Sequence, residues 1–337
     1  MADYPFMPVE VAWKRPPIDR SILKECTKRS DIKGLYHSLG VLAILGASGA
    51  IAYYFYSTGQ LVLMVIALYV HGGLFAFNPQ NHELSHGTVF KTKWLNSIFM
   101  RIFGILHWTA NAALYKMSHK HHHRFTLHRE SEGERVHPRA ETTEEVLHQA
   151  IKIIDITSFI NALYDQIYSL FRRYLNNPRR NLWQRYCYER SNKKDRVDAY
   201  LTQLSQFAFH VLFAVFAIAT GHWFLIVLVT LPGFYGGSWY HKLVHDPMHV
   251  GKEPETDDFR KCCRSVKVNP FTSFMYWHME WHTEHHAFAA IPCYNLKKFY
   301  RLTSENWDEP MPLGAAWREM NRFSENLLVL KPVANPT

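Results

Sequence analysis

The sequence predicts an all-α integral membrane protein with four transmembrane helices, paired in two hairpins, and a cytosolic helical cap. Four apolar stretches contain no Lys, Arg, Asp or Glu, and they cover about residues 39–56, 61–77, 207–220 and 223–240. Each is slightly shorter than the roughly 20 apolar residues that cross a bilayer. Because very short uncharged links join the members of each pair, we expect membrane hairpins at about 39–77 and 205–240.

The basic residues predict the orientation of these hairpins. All 38 Lys and Arg lie outside them, in residues 1–34, 80–200 and 241–337. Such asymmetry is typical of segments on the cytosolic side of a membrane. We therefore expect one domain over residues 1–337, with a cytosolic N-terminal segment at 1–34 and a cytosolic cap formed by 80–200 and 241–337. The alternative is a soluble helical protein in which both hairpins are buried in the core.

One part of the middle segment has its own helical pattern. Residues 143–175 repeat apolar positions at helical spacing with polar residues between them. This pattern predicts an amphipathic helix along the membrane face or against the cap.

Composition excludes several classes of protein. Apolar residues make up 47% of the chain and charged residues 20%, which excludes intrinsic disorder. The five Cys form no C-x-x-C pair, so neither a thiolate zinc site nor a thioredoxin-like site is expected. The net charge of +9 alone is compatible with nucleic-acid binding. However, the basic residues flank the apolar stretches, so the membrane orientation already accounts for them and no nucleic-acid partner is expected.

The 21 histidines are the most unusual feature of the composition, and many of them fall in three clusters. The clusters read HELSH at 82–86, HKHHH at 119–123 and HTEHH at 282–286. On a helix, residues i, i+3 and i+4 share one face. The histidines that this spacing aligns are His82 and His86, then His119, His122 and His123, then His282, His285 and His286.

This constellation predicts a metal site with more than one ion. Several buried imidazoles without partners would be costly, and eight nitrogen ligands exceed what a single zinc ion takes. An imidazole-rich shell of this size suits two iron ions. A rival reading remains, because His82-Glu83-x-x-His86 also matches the zinc-protease helix, in which Glu83 would be the base.

In the order and spacing of its three histidine boxes, and in its two membrane hairpins, the chain resembles the membrane fatty acid desaturase and hydroxylase superfamily over about residues 35–300. The segment VNPFTSFMYWHMEWHTEHHAFAAIP resembles bacterial-type members. The resemblance implies that His249 is a ninth ligand. Where relatives carry an Asn four residues earlier, this chain has His245, which is then either a tenth nitrogen ligand or a donor to another ligand.

Acidic residues close to the boxes in sequence are expected to orient the ligands. A metal-bound imidazole usually donates its other N–H to a carboxylate or carbonyl. The candidates are Glu83, Asp246, Asp258, Glu280 and Glu284.

The resemblance also implies a reaction. The chain is expected to be an O₂-dependent oxidoreductase that uses two iron ions, with O₂ as co-substrate, to introduce a double bond into a fatty acyl chain. Hydroxylation, acetylenic bond formation and decarboxylation of acyl chains remain open on the same site, as does a small metabolite substrate. A membrane adaptor that keeps only a structural metal site is a further alternative. Candidate walls of an acyl tunnel are Trp108, Tyr115, Tyr235 and Trp239.

Electrons must come from a partner, because the chain carries no haem motif, dinucleotide loop or Cys cluster. A donor of the cytochrome b5, ferredoxin or rubredoxin type is expected. The membrane would be the endoplasmic reticulum in a eukaryote or the inner membrane in a bacterium, with the termini and the active site on the cytosolic side.

Overall fold

The computed structural model describes residues 9–107, 110–128, 130–134, 182–235 and 239–327, together with Ile160, Asn161, Leu163 and Tyr164. The described chain is mostly helical. Its α-helices are α1 Arg20–Cys26, α2 Asp31–Ser57, α3 Leu61–Ala76, α4 Pro79–His86, α5 Lys93–Leu106, α6 Ala112–Phe125, α7 Leu182–Arg190, α8 Lys193–Ala219, α9 Phe224–Val229, α10 Trp239–His245, α11 Phe259–Cys262, α12 Pro270–Met275, α13 His282–Ala287, α14 Cys293–Leu302 and α15 Leu313–Leu327. Two short parallel strands, β1 Val266–Lys267 and β2 Met311–Pro312, pair with each other. Short 3₁₀ turns cover Pro232–Phe234, Asp246–Met248 and Ser304–Asn306.

Within the described residues, three helical segments are long and apolar enough to cross a membrane. They are Asp31–Ser57, Leu61–His86 and Lys193–Ala219. The first three predicted apolar stretches are therefore helical, and the helices extend beyond them. The second segment runs through α3 into α4, so it ends on the first histidine box.

The fourth apolar stretch is not one helix, in contrast to the uninterrupted span that its sequence predicts. α9 is only six residues long, and the 3₁₀ turn Pro232–Phe234 separates it from α10. Pro232 lacks an N–H and its ring crowds the preceding helical turn, so an α-helix cannot continue through it undisturbed. The described residues thus contain three long apolar helices and one broken apolar segment.

Local signals in the sequence set the helix ends. The side chains of Ser30 and Asn192 cap α2 and α8 by accepting backbone N–H groups of Lys33 and Asp195. Both hairpin turns contain a glycine in the left-handed region, Gly59 at φ 68° and Gly221 at φ 74°. Residues with a Cβ adopt this conformation only with strain, so these glycines allow the tight turns.

The two hairpins pack against each other at their turns. The ring of Tyr56 on α2 stacks on Phe224 of α9, with centroids 3.9 Å apart. Deeper in the bundle, the Nε2–H of buried His71 donates to the carbonyl of Leu228, at 2.9 Å. This bond satisfies a polar side chain that would otherwise be costly in an apolar layer.

The N-terminal residues cross over the histidine-bearing helices. The Lys14 N–H donates to the carbonyl of Asp257 at 2.7 Å, and the Arg15 side chain donates to the carbonyl of Ala287 at 2.7 Å. The preceding residue, Trp13, stacks on Phe259, with ring centroids 4.0 Å apart. The segment therefore ties the end of α13 to the loop before α11.

Two predicted features fall largely or wholly outside the described residues. They are the amphipathic helix at 143–175 and the candidate tunnel wall at Trp108.

The close contact of α3 with the segment after α9 makes a prediction about stability. A Cβ added at Gly72 would overlap the carbonyl oxygen of Tyr235, which is backbone and cannot rotate away. Gly72→Ala is therefore expected to destabilise the fold by about 1–3 kcal/mol, the usual cost of overpacking. The measurement is the thermal unfolding midpoint of the purified protein in detergent.

Gly46→Ala is the matched control, because a Cβ at Gly46 on α2 has no neighbour within 4 Å. It should leave the midpoint unchanged or raise it, since Ala favours a helix over Gly. Equal midpoints for both variants would contradict the close approach at Gly72.

Candidate metal centre

α4, α6 and α13 meet below the N-terminal segment, and together with the loop after α10 they bring nine histidines into one buried region. Asn111 is the N-cap of α6, and its side chain accepts the N–H groups of Ala113 and Leu114. This cap fixes where the helix begins and therefore where the second box lies along it. Two groups form within this region. The first contains His82, His86, His119, His123 and His285, and the second contains His122, His249 and His286.

The first group draws on all three histidine boxes. One ring nitrogen of each of its five members lies within 4.8 Å of the ring nitrogens of the others. The Nε2 atom of His123 lies 2.9 Å from Nε2 of His119 and 3.2 Å from Nε2 of His285. The Nε2 atom of His86 is buried and has no hydrogen-bond partner among the described residues.

The second group has the same construction around His249. Nε2 of His249 lies 3.2 Å from Nε2 of His122 and 2.8 Å from Nε2 of His282. Nε2 of His282 also lies 3.1 Å from Nε2 of His286. His282 therefore extends this group to four imidazoles.

In this second group, the hydrogen-bond partners of Nδ1 fix the tautomers of His122, His249 and His286. Nδ1 of His249 lies 3.0 Å from the carbonyl of Cys262, which can only accept, so the proton sits on Nδ1. Nδ1 of His122 lies 3.1 Å from the Glu132 carboxylate, and it donates for the same reason. The Thr126 hydroxyl gives its hydrogen to the His122 carbonyl, so its oxygen accepts from Nδ1 of His286.

The tautomers of His122 and His249 leave two unprotonated Nε2 lone pairs facing each other. Such an arrangement is repulsive without a positive charge between the nitrogens, and a metal ion supplies that charge. Two nitrogens bound at about 2.1 Å to one ion, at a right angle, would lie about 3 Å apart. The Nε2 separations of 2.8–3.2 Å match that spacing.

Burial keeps the imidazoles in the neutral form that binds metals. Burial, reinforced by the neighbouring imidazoles, holds the pKa of His119 and His123 well below the ordinary histidine value. The same causes lower the pKa of His282, His285 and His286 on α13. These five imidazoles are therefore uncharged at neutral pH, the form in which histidine binds divalent iron.

Two carboxylates that sequence reasoning missed orient the second box. Glu132 is 1% exposed and accepts from Nδ1 of His122 and from the Leu127 N–H, the latter at 3.1 Å. Glu134 lies 3.3 Å from Nδ1 of His119 and accepts from the Ser118 hydroxyl at 2.7 Å. The two glutamates come nine and eleven residues after the end of the box, in a loop without periodicity, so no spacing rule indicates them.

The five acids proposed from sequence proximity are placed differently from one another. Glu83 lies 3.0 Å from Nδ1 of His82 and 3.5 Å from Nδ1 of His285. Three of the other carboxylates pair with residues that are not histidines: Glu280 with Ser273, Glu284 with Ser265, and Asp258 with Arg260. Asp246 accepts the His249 N–H through its backbone carbonyl.

His245 and His121 lie outside both groups. Nδ1 of His245 lies 2.6 Å from the Tyr276 hydroxyl, and its ring is 5.8 Å from that of His282. The role of His245 as a ligand therefore stays a prediction. His121 lies two residues after His119 on α6 and faces away from the groups, half-buried against Trp183.

Comparison with known proteins agrees with this geometry. A family model described as fatty acid desaturase matches residues 56–317, which is most of the chain and includes every histidine discussed above. The chain therefore belongs to the fatty acid desaturase family. No curated protein matched it.

The contact between Glu132 and His122 predicts an effect on metal binding. Partners that orient a ligating imidazole typically change metal affinity by about 10–100-fold when they are removed. Glu132→Ala should therefore weaken metal binding by about that factor, as measured by metal content after dialysis against graded chelator concentrations.

Glu305→Ala is the control, because Glu305 is exposed and its carboxylate accepts from Asn306 rather than from a histidine. It should retain metal like the unchanged protein. Equal retention by both variants would show that Glu132 does not support a metal ligand.

Proposed function

We propose that this chain is a membrane-bound, O₂-dependent oxidoreductase that introduces a double bond into a fatty acyl chain. The observation that supports it best is the pair of buried, neutral histidine groups at the end of an apolar helix in a fatty acid desaturase family member. In the proposed reaction, a –CH₂–CH₂– unit, O₂, two electrons and two protons give –CH=CH– and two waters. The electrons come from a separate carrier.

Two iron ions are the proposed cofactor. The first would be held by members of the group His82, His86, His119, His123 and His285, and the second by His122, His249, His282 and His286. When bound, the iron pair would supply the activation of O₂ that breaks an unactivated C–H bond.

The protein's own residues would hold and isolate this centre. The Nδ1–H groups of His122 and His249 stay on Glu132 and on the Cys262 carbonyl, which fixes both rings with Nε2 facing inwards. α13 is buried along its whole length, so bulk water is kept from the third box. A dry site prevents the loss of reactive species to solvent.

The position of the centre suits a lipid substrate. His82 and His86 close the apolar helical segment Leu61–His86, so the ligands sit where the apolar layer meets the cap. An acyl chain could then reach the metals without leaving an apolar environment. We place the cap, both termini and the centre on the cytosolic side, with the broken segment after α9 as part of the fourth membrane crossing.

Other outcomes on the same site are hydroxylation, acetylenic bond formation and decarboxylation, and the placement of the C–H bond relative to the metals would decide among them. The zinc-protease reading of His82-Glu83-x-x-His86 is disfavoured by the geometry. Glu83 lies against Nδ1 of His82, and seven further imidazoles surround the pair.

The direct test replaces one proposed metal ligand. His285→Ala removes a nitrogen of the first group, so it should abolish product formation while leaving membrane insertion intact. Lipids from membranes expressing either protein are compared by mass spectrometry, with iron, O₂ and a donor supplied. A product two hydrogens lighter identifies desaturation, whereas one that is one oxygen heavier identifies hydroxylation.

His121→Ala is the matched control, because His121 belongs to the same box run but packs on Trp183. It should keep most of the activity. Loss of all product in His121→Ala, or full activity in His285→Ala, would contradict the ligand assignment.

The electron donor gives a prediction about salt. The chain carries a net charge of +9, and its basic residues lie in the segments proposed to be cytosolic. An acidic cytochrome b5, ferredoxin or rubredoxin would then be steered electrostatically, and steering weakens as ions screen the charges. Turnover at limiting donor should fall between low and high salt, whereas turnover with a small neutral reductant should not. An unchanged rate with the protein donor would contradict this docking.

A further inference from the structure

Among the four imidazoles of the second histidine group, only that of His249 is not carried by an α-helix. His122 lies on α6, and His282 and His286 lie on α13. His249 instead follows the 3₁₀ turn Asp246–Met248, with backbone angles of φ −127° and ψ −31°. A helix fixes its residues through its own ladder of hydrogen bonds, whereas an irregular segment depends on bonds from elsewhere in the chain. The position of His249 is therefore set by its neighbours.

Arg264 makes three bonds to the turn that carries His249. Nη1 of its guanidinium donates to the carbonyls of Pro247 and Val250, the latter at 3.2 Å. Its backbone N–H donates to the carbonyl of Met248 at 2.9 Å. One residue thus binds the carbonyl groups of the two residues before His249 and of the residue after it.

The guanidinium of Arg264 is itself held by the C-terminal helix. The Arg264 side chain is only 3% exposed, and its Nη2 donates to a carboxylate oxygen of Glu319 on α15 at 2.8 Å. A buried charge without a partner is costly, so Glu319 compensates the guanidinium. Because a guanidinium is planar, binding one of its amino groups to a carboxylate also fixes the direction of the other.

The same helix packs directly on the chain before and after His249. The indole N–H of Trp317 on α15 donates to the carbonyl of Leu243 on α10, at 2.8 Å. Trp317 and the buried Met320 form an apolar cluster with Leu243 and Val250. α15 therefore supports the turn both through apolar contacts and through the bound guanidinium.

Small movements of this turn would matter, because metal–ligand distances are narrowly defined. Nε2 of His249 lies 3.2 Å from Nε2 of His122, and ligand distances in a metal site are defined to within about 0.2 Å. The bond from Nδ1 of His249 to the Cys262 carbonyl fixes the direction of the ring. The backbone of the turn fixes how far the ring reaches, and Arg264 holds that backbone.

We propose that Arg264 is a positioning residue for the second metal site, and that Glu319 on α15 holds it in place. Arg264 acts through the backbone of residues 247–250 and is not itself a ligand. The inference rests on the proposed function for the presence of two iron ions. It makes occupancy of the second site depend on the C-terminal helix, which carries none of the proposed ligands.

The test measures how well each iron ion is retained. Iron-loaded protein in detergent is dialysed without O₂ against graded concentrations of a ferrous chelator, and the iron per chain is counted. The ion whose retention falls in His249→Ala belongs to the second group. Arg264→Gln should weaken retention of that ion alone by about tenfold, the lower end of the effect of removing a partner that orients a ligand.

Arg264→Gln is expected to fold. The backbone bond from residue 264 to the Met248 carbonyl does not depend on the side chain. The Glu319 side chain is 31% exposed, so water can solvate its carboxylate when the guanidinium is removed. A role in general stability would weaken retention of both ions together, whereas a positioning role affects only the second.

Two variants of Glu319 give a second readout. Glu319→Gln keeps an amide oxygen that can accept from Nη2 of Arg264, so both ions should be retained nearly as in the unchanged protein. Glu319→Leu removes the acceptor and should reproduce the selective loss of the second ion. Equal retention by these two variants would contradict the role of Glu319.

Arg260→Gln is the matched control, because it makes the same change four residues earlier, where the guanidinium pairs with Asp258 instead. It should retain both ions. The inference would be overturned if Arg264→Gln retained both ions like the unchanged protein, if it lost both in parallel, or if Arg260→Gln lost the second ion equally.

The outcome is separable from that of the proposed function. Desaturation by the unchanged protein, together with full iron retention by Arg264→Gln, would overturn only the positioning role. Selective loss of the second ion from Arg264→Gln, in a protein whose unchanged, reduced form oxidises no acyl chain, would overturn the proposed function and leave the positioning role standing.

Discussion

The repulsion between imidazole lone pairs that face one another is the constraint on which the rest of this structure depends. His249 must carry its proton on Nδ1 because the Cys262 carbonyl can only accept, and His122 carries its own on Nδ1 beside Glu132. The two Nε2 atoms therefore face each other at 3.2 Å without a hydrogen to share. A cation between the rings would remove that repulsion. The described helices therefore form a site that could hold a metal ion.

Much of the surrounding polar architecture holds these helices in place. The carbonyls at the C-terminal end of α5 find side-chain donors on α8: Gln206 bonds to Gly104 at 2.6 Å, and His210 bonds to Ile105 at 2.8 Å. Gln206 also donates to Ala110, just before α6 begins, at 2.9 Å. Since α6 carries the second histidine box, a bond from an apolar helix helps to set the position of these histidines.

The same principle of satisfying buried polar groups explains why the helix that ends on the first box is interrupted. Phe77 and Asn78 separate α3 from α4, which begins at Pro79 and carries His82. Pro79 needs no N–H partner at the first helical position, so the break leaves few unsatisfied backbone donors.

The sequence predicts the parts of this site that follow helical periodicity. Spacing of i, i+3 and i+4 is enough to align His119, His122 and His123, because the backbone alone sets that geometry. It is not enough to find Glu132 and Glu134, which reach the second box through a loop that passes the left-handed residue Leu127 at φ 58°. Contacts of that kind depend on tertiary structure and leave no period in the sequence.

The apolar stretches show the same division. Hydropathy predicts α2, α3 and α8 because a long charge-free run has few other ways to satisfy its backbone in a bilayer. It fails at the fourth stretch, where Pro232 divides the run although every residue remains uncharged. Mean hydropathy does not register a missing N–H, so it cannot report the break. The placement of His245 beside Tyr276 likewise depends on packing rather than on spacing.

The proposed function requires two metal ions in the two histidine groups, so metal stoichiometry is the measurement to make. The chain would be purified from iron-supplemented cells in mild detergent, and its metals would be counted against protein by mass spectrometry. We expect two iron ions per chain. A single zinc ion per chain, or a folded protein that binds no metal, would contradict it.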